Sequence, residues 1–123
     1  MILDTCFFVD LQRRPDLVKH VVPSLATTQI CTTVITCGEL AVGMEAPSTV
    51  DLQAATLGLP VLGIDQPVAI TFGALMRSMR ARGTSIGEND AWIAAIALVH
   101  QLPLLTRNVR EFSRIPGLTV QTY

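Results

Sequence analysis

Gly87-Glu88-Asn89-Asp90-Ala91-Trp92-Ile93-Ala94-Ala95-Ile96-Ala97-Leu98-Val99 is the stretch around which this chain is organised. From Ala91 to Val99 every residue is apolar, and neither Gly nor Pro interrupts the run, so helix is favoured over strand. A helix that is apolar on every side belongs inside a core, packed all round. The polar lead-in puts Asp90 in the first turn, at the edge of that core. There the helix dipole favours a negative charge by a few tenths to about 1 kcal/mol. Taken alone, Asp90 is as well explained as an acidic helix start as by a functional role. Its company elsewhere in the chain decides.

On either side of this helix, short apolar segments alternate with helical patterns. Met1 to Asp4 reads as a buried strand ending in an acid. Arg13-Arg14-Pro15-Asp16 is a polar break, with Pro15 and Asp16 suited to opening a helix that Pro23 ends or interrupts. Gln29 to Thr32 is rich in strand formers. It leads into Thr33–Met44, where Val34, Cys37, Ala41 and Met44 recur at helical spacing and Glu39 projects to roughly the opposite side. Ala46-Pro47-Ser48-Thr49 is a turn able to cap a helix beginning near Asp51. Gly58-Leu59-Pro60 breaks that helix, and Val61–Ile64 is a second buried-strand candidate. Val68, Phe72, Leu75, Met76 and Met79 then form one face of an amphipathic helix stopped at Gly83, with Arg77 opposite that face and Arg80 on its flank. After the central helix come a short strand at Pro103–Thr106, a polar turn or short helix at Arg107–Phe112, and an edge strand at Leu118–Val120. The alternation predicts a single domain over residues 1–123, a three-layer α/β/α sandwich with a central, mostly parallel sheet.

Composition narrows the function. Half of the 123 residues are hydrophobic and 15% are charged, with a mean hydropathy of +0.46. So oily a small chain implies a buried apolar interface with itself or a partner. No run is long enough to span a bilayer, and Asp4 interrupts the apolar start, which has no basic lead, so neither a membrane span nor a signal peptide is expected. Cys6, Cys31 and Cys37 lack zinc-site spacing and read as small buried hydrophobes in a reducing cytosol. A net charge of −1 gives no global basic field, yet Arg77, Arg80, Arg82, Arg107, Arg110 and Arg114 crowd the later part of the chain.

In a parallel α/β sheet the ligand crevice lies beyond the carboxyl ends of the strands. Asp4 ends the first strand, Glu39 follows the second, Asp90 opens the central helix, and Asn108 and Glu111 follow the strand at Leu104-Leu105. All fall on one rim. Carboxylates gathered there repel one another and lose hydration, so they take up protons or hold a cation. Oxygen ligands without thiolate or imidazole suit Mg2+ or Mn2+, which keep positions open for water and substrate phosphate.

Ile2-Leu3-Asp4-Thr5, Glu39-Leu40-Ala41-Val42-Gly43, Asn89-Asp90-Ala91-Trp92-Ile93-Ala94-Ala95 and Leu105-Thr106-Arg107-Asn108-Val109-Arg110-Glu111-Phe112 resemble, in order, the four blocks of PIN-domain ribonucleases. The size and the last block are most similar to VapC-type toxins of prokaryotic toxin–antitoxin pairs. The resemblance implies a metal-dependent endoribonuclease with catalytic Asp4, Glu39, Asp90 and Glu111. Asp4, Glu39 and Asp90 would surround Mg2+ or Mn2+. The family's fourth acidic position falls either on neutral Asn108 or on Glu111. Thr5 and Thr106 match positions whose hydroxyls support the carboxylates or a metal-bound water. Arg77, Arg80 and Arg107 suit an RNA substrate, because guanidinium pairs phosphate oxygens in a fork. Expected partners are RNA, a VapB-type antitoxin and a second copy of the chain, in the cytoplasm.

Two rivals remain. A PIN-like module that binds RNA or protein without cutting would explain Asn108, against the intact Asp4, Glu39 and Asp90. A haloacid-dehalogenase-type phosphatase also starts with a strand and an Asp, but it needs a second Asp where Cys6 stands.

Overall fold

The computed structural model describes all residues, 1–123. Five short strands form its centre: β1 (Ile2–Leu3), β2 (Thr32–Thr33), β3 (Val61–Leu62), β4 (Leu104–Leu105) and β5 (Val120–Gln121). β1, β4 and β5 pair in parallel, as do β2 and β3. A parallel bridge between Ile2 and Cys31 joins the two groups in the order β3-β2-β1-β4-β5. The chain therefore reverses its direction of travel across the sheet between β1 and β4, and a crevice opens at such a switch point.

Alternation along the strands sorts the core into two layers. Ile2 and Leu104 face one side, packed with Val68, Leu75, Met79, Ile93 and Ile96. Leu3 and Leu105 face the other, with Phe7, Phe8, Val18 and Leu25. The first side is covered by α5 (Gln66–Ala81) and α6 (Glu88–His100), and the second by α1 (Thr5–Arg13) and α2 (Val22–Leu25). Helices on both faces of a parallel sheet make the expected three-layer sandwich. In α6, Ala91 and Ile93 to Ala97 are all buried, as an all-apolar helix requires.

The remaining helices are α3 (Val34–Val42), α4 (Thr49–Ala55) and α7 (Val109–Phe112). Local signals set several boundaries. Ser48 and Asp51 close a capping box on α4, and Gly83, at φ +64°, follows the end of α5. Pro15 starts a 3-10 turn, Pro15–Leu17, rather than a full helix, and Pro23 lies in the first turn of α2 instead of ending a helix. In that turn its missing N–H costs nothing.

Two sequence expectations are overturned. Val34, Cys37, Ala41 and Met44 do not form the buried face of α3: Val34 is exposed, and the fully buried residue is Thr36. Glu39 sits on the half-buried side, towards α1, because that face meets polar Thr5 and not the apolar core. Nor is Val61–Ile64 buried. Val61 and Ile64 are both exposed, since β3 is the sheet's edge and has a neighbour on one side only. α1 has no counterpart among the elements that the sequence pattern predicts. No helix is long and apolar enough to cross a membrane.

Candidate active site

β1 and β4 end side by side, and their last residues hand over to Asp4 and Thr106. Asp4 leaves the strand in extended backbone (φ −75°, ψ 161°) and becomes the N-cap of α1, its carboxylate accepting from the Thr5 N–H at 2.8 Å. The Thr106 hydroxyl donates to its other oxygen at 2.6 Å, and the Cys6 thiol lies 3.4 Å from that same oxygen. The Asp4 carboxyl is raised above its ordinary range, first by burial and further by the charge of Glu39, against the lowering effect of these donors.

Glu39 is brought across by α3, whose start is fixed by the Thr33 hydroxyl accepting from the Thr36 N–H at 3.1 Å. One Glu39 oxygen accepts from the Thr5 hydroxyl, the other from the Asn89 amide at 3.0 Å. Thr36 touches the same Thr5 hydroxyl at 3.3 Å, so a row of threonines backs the glutamate. Asp90 stands in the first turn of α6, and the Asn108 amide donates to it at 3.3 Å. Its carboxyl is pushed up to about 6. Burial is the largest cause, followed by the charges of Asp4, Glu39 and Glu111.

The four acids thus share one electrostatic neighbourhood at the switch point. They are not equivalent. Glu111 is already ion-paired with Arg114, which also donates to the Ser85 carbonyl at 2.8 Å. Asn108, by contrast, lies directly on Asp90 and is anchored through its own N–H on the Thr106 hydroxyl at 2.9 Å. As they lie, the side chains form no ready-made cluster of three metal-ligating groups. Apart from Glu111, each carboxylate instead leans on a neutral donor: Thr106 for Asp4, Thr5 and Asn89 for Glu39, Asn108 for Asp90.

The donor chemistry fits a hard divalent cation. All candidate ligands are oxygens, and burial together with repulsion from the other acids raises the Asp90 carboxyl, a shift that a nearby cation would oppose. Neutral donors holding the carboxylates give way to a cation more readily than arginines would.

Arg77 and Arg80 are exposed on the last turns of α5, which the short 82–87 connection sets beside the start of α6; neither makes an ion pair in the chain. Arg107 directly follows Thr106, and its side chain reaches buried Asp10. Sequence reasoning missed Asp10, the Thr33–Thr36 support, the role of Asn89, and Cys6 as a polar contact. Of these, only Asn89 carried a usable signal, as the immediate neighbour of Asp90. All three cysteines are free, but only Cys31 is buried; burial pushes the Cys6 thiol up, with Asp4 adding to it.

Comparison with known proteins agrees with this architecture. The PIN domain family matches residues 1–118. The chain is 30% identical to the tRNA(fMet)-specific endonuclease VapC of Salmonella typhimurium, over 98% of this chain and 93% of that protein. It is 29% identical to ribonuclease VapC5 of Mycobacterium tuberculosis, over 94% and 87%. Among solved structures, VapBC2 from Rickettsia felis bound to a promoter DNA fragment matches with a TM-score of 0.83 and 26% identity, covering 99% of this chain and 97% of that one. A family match running through every element that builds the rim leaves one conclusion: this chain belongs to the PIN domain family.

Proposed function

We propose that this protein is a divalent-metal-dependent endoribonuclease, the toxin of a VapBC-type pair, with Asp4, Glu39 and Asp90 as its principal metal-holding and catalytic carboxylates. The observation that carries the reading is the convergence of these acids at the β1/β4 switch point, where burial and, after it, the charges of Asp4, Glu39 and Glu111 raise Asp90 to about 6. The kinship with VapC ribonucleases gives the substrate class. The matched VapBC assembly supports a VapB-type antitoxin as protein partner.

Mg2+ or Mn2+ suits an all-oxygen set. When bound it lowers the pKa of water and offsets charge on a phosphodiester. The chain's own residues do the positioning. Thr106 and the Thr5 N–H fix Asp4, while Thr5 and Asn89 orient Glu39. Asp90, at the helix start, would hold the cation or take a proton from water, depending on pH. Asn108, already on Asp90, fills the fourth position better than Glu111, whose charge Arg114 shares. Arg77, Arg80 and Arg107 supply cations for the RNA backbone.

The test is incubation of the purified chain with transfer RNA and with a short single-stranded RNA, titrating Mg2+ or Mn2+. Cleavage that appears with the metal and stops on chelation is expected. Intact RNA at every metal concentration, alongside measurable RNA binding, would favour the non-cleaving module.

A further inference from the structure

Asp10 is fully buried, yet it belongs to no part of the rim. Arg14 donates to its Oδ1 from Nε at 3.1 Å and from Nη2 at 2.6 Å. Arg107 Nε lies 3.0 Å from its Oδ2, and the Tyr123 hydroxyl donates to that oxygen at 3.0 Å. Tyr123 is itself wedged edge-on against Phe7, with ring centroids 5.7 Å apart. One buried carboxylate therefore pins two arginines that remain 54% and 42% exposed.

Two guanidinium charges on one carboxylate leave a net positive charge, facing water. Both Arg107 terminal nitrogens and Arg14 Nη1 make no hydrogen bond within the chain. Because their geometry is fixed in advance, little rotamer entropy remains to be lost on binding. Asp10 stands six residues beyond Asp4, about 9 Å along the axis of α1. Arg107, meanwhile, sits between Thr106 and Asn108, the residues that touch Asp4 and Asp90.

We infer that Arg14 and Arg107, pinned side by side on buried Asp10, form a subsite for a phosphate of the RNA beside the one being cleaved. The inference rests on the ribonuclease reading for its ligand. Arg14 and Arg107 bind; Asp10 is a positioning residue that acts through them. A phosphate displaced from the reacting centre contributes to holding substrate and not to the chemical step, so its loss falls on KM.

The experiment measures cleavage of total transfer RNA by the full chain in Mg2+. The Arg14→Gln/Arg107→Gln variant raises KM about ten-fold or more, with kcat within about two-fold. The dependence of log KM on log salt also falls by about 0.7 per lost contact. Asp10→Asn raises KM in the wild-type background and adds nothing to the double variant, since coupled residues are non-additive. If the arginine variant does not fold, because it strips buried Asp10 of its counter-charges, the triple variant that adds Asp10→Asn decides in its place. A fall in kcat at unchanged KM would overturn the inference, because it would make Asp10 a prop for the Thr106–Asp4 contact. Unchanged constants would overturn it too. Anisotropy of a fluorescein-labelled single-stranded RNA in chelator separates this from failure of the nuclease reading. Weaker binding by the arginine variant supports the subsite even if wild type cuts nothing, and equal binding overturns it.

Discussion

Asp90 shows how the surroundings of a single carboxylate bear both on stability and on the metal site proposed for it. Its folded pKa lies near 6, above the ordinary carboxylate value of 3.8. The folded state therefore binds more protons than the unfolded state between these values. Metal-free stability is greatest below the lower one and falls as pH rises through the higher one. Asp90→Asn removes the repelled charge, so in chelator at neutral pH it raises the melting temperature, whereas near pH 4 the two proteins melt together. Scanning calorimetry checks this, and a lower melting temperature for Asp90→Asn at neutral pH would contradict it. The same proton competes with metal, so apparent Mn2+ affinity drops as pH falls through about 6. Asp4, Glu39 and Asp90 were legible in the sequence because each follows or opens an apolar element. Asp10 was not legible. A charged residue inside an apolar stretch gives no hint that two arginines and a tyrosine, distant in sequence, will close over it.

Elements were legible where one physical signal dominated. α6 is apolar on all sides and could only be central, and α5 buries Val68, Leu75 and Met79 from the expected stripe. α3 misled because its inward face is polar: Thr36 and Glu39 meet Thr5 and Asn89, so hydrophobic periodicity pointed to the wrong side. α1 escaped because Asp10 breaks its apolar pattern and because Phe7, Phe8 and Val9 suit a strand equally well. The alanines of α6 have a consequence of their own. Ala91, Ala94 and Ala95 are fully buried, so the helix lies close against its neighbours. Ala95→Leu overfills that space and costs about 1–3 kcal/mol, read as a lower urea midpoint at unchanged slope. An unchanged midpoint would mean that this layer is looser than the structure has it.

At the scale of the whole molecule, the order of strands was legible only as far as "parallel and alternating". The β1/β4 reversal that brings Asp4 beside Thr106 depends on non-local pairing, which short apolar segments do not encode singly. Surface apolarity was better foretold: Val42, Val50, Leu57 and Ile70 are largely exposed, in keeping with an oily composition. We expect a two-fold dimer to cover part of this area, and sedimentation at low micromolar concentration checks it. A clean monomer with no tendency to aggregate would rule the dimer out. The central claim concerns the rim, and one parallel measurement tests it most directly. Asp4→Asn, Glu39→Gln and Asp90→Asn keep shape while removing charge. Each should weaken Mn2+ binding, followed by electron paramagnetic resonance, and reduce RNA cleavage by at least about 100-fold in folded protein. If all three variants bound Mn2+ and cut RNA as the wild type does, the carboxylate rim would not be the active site.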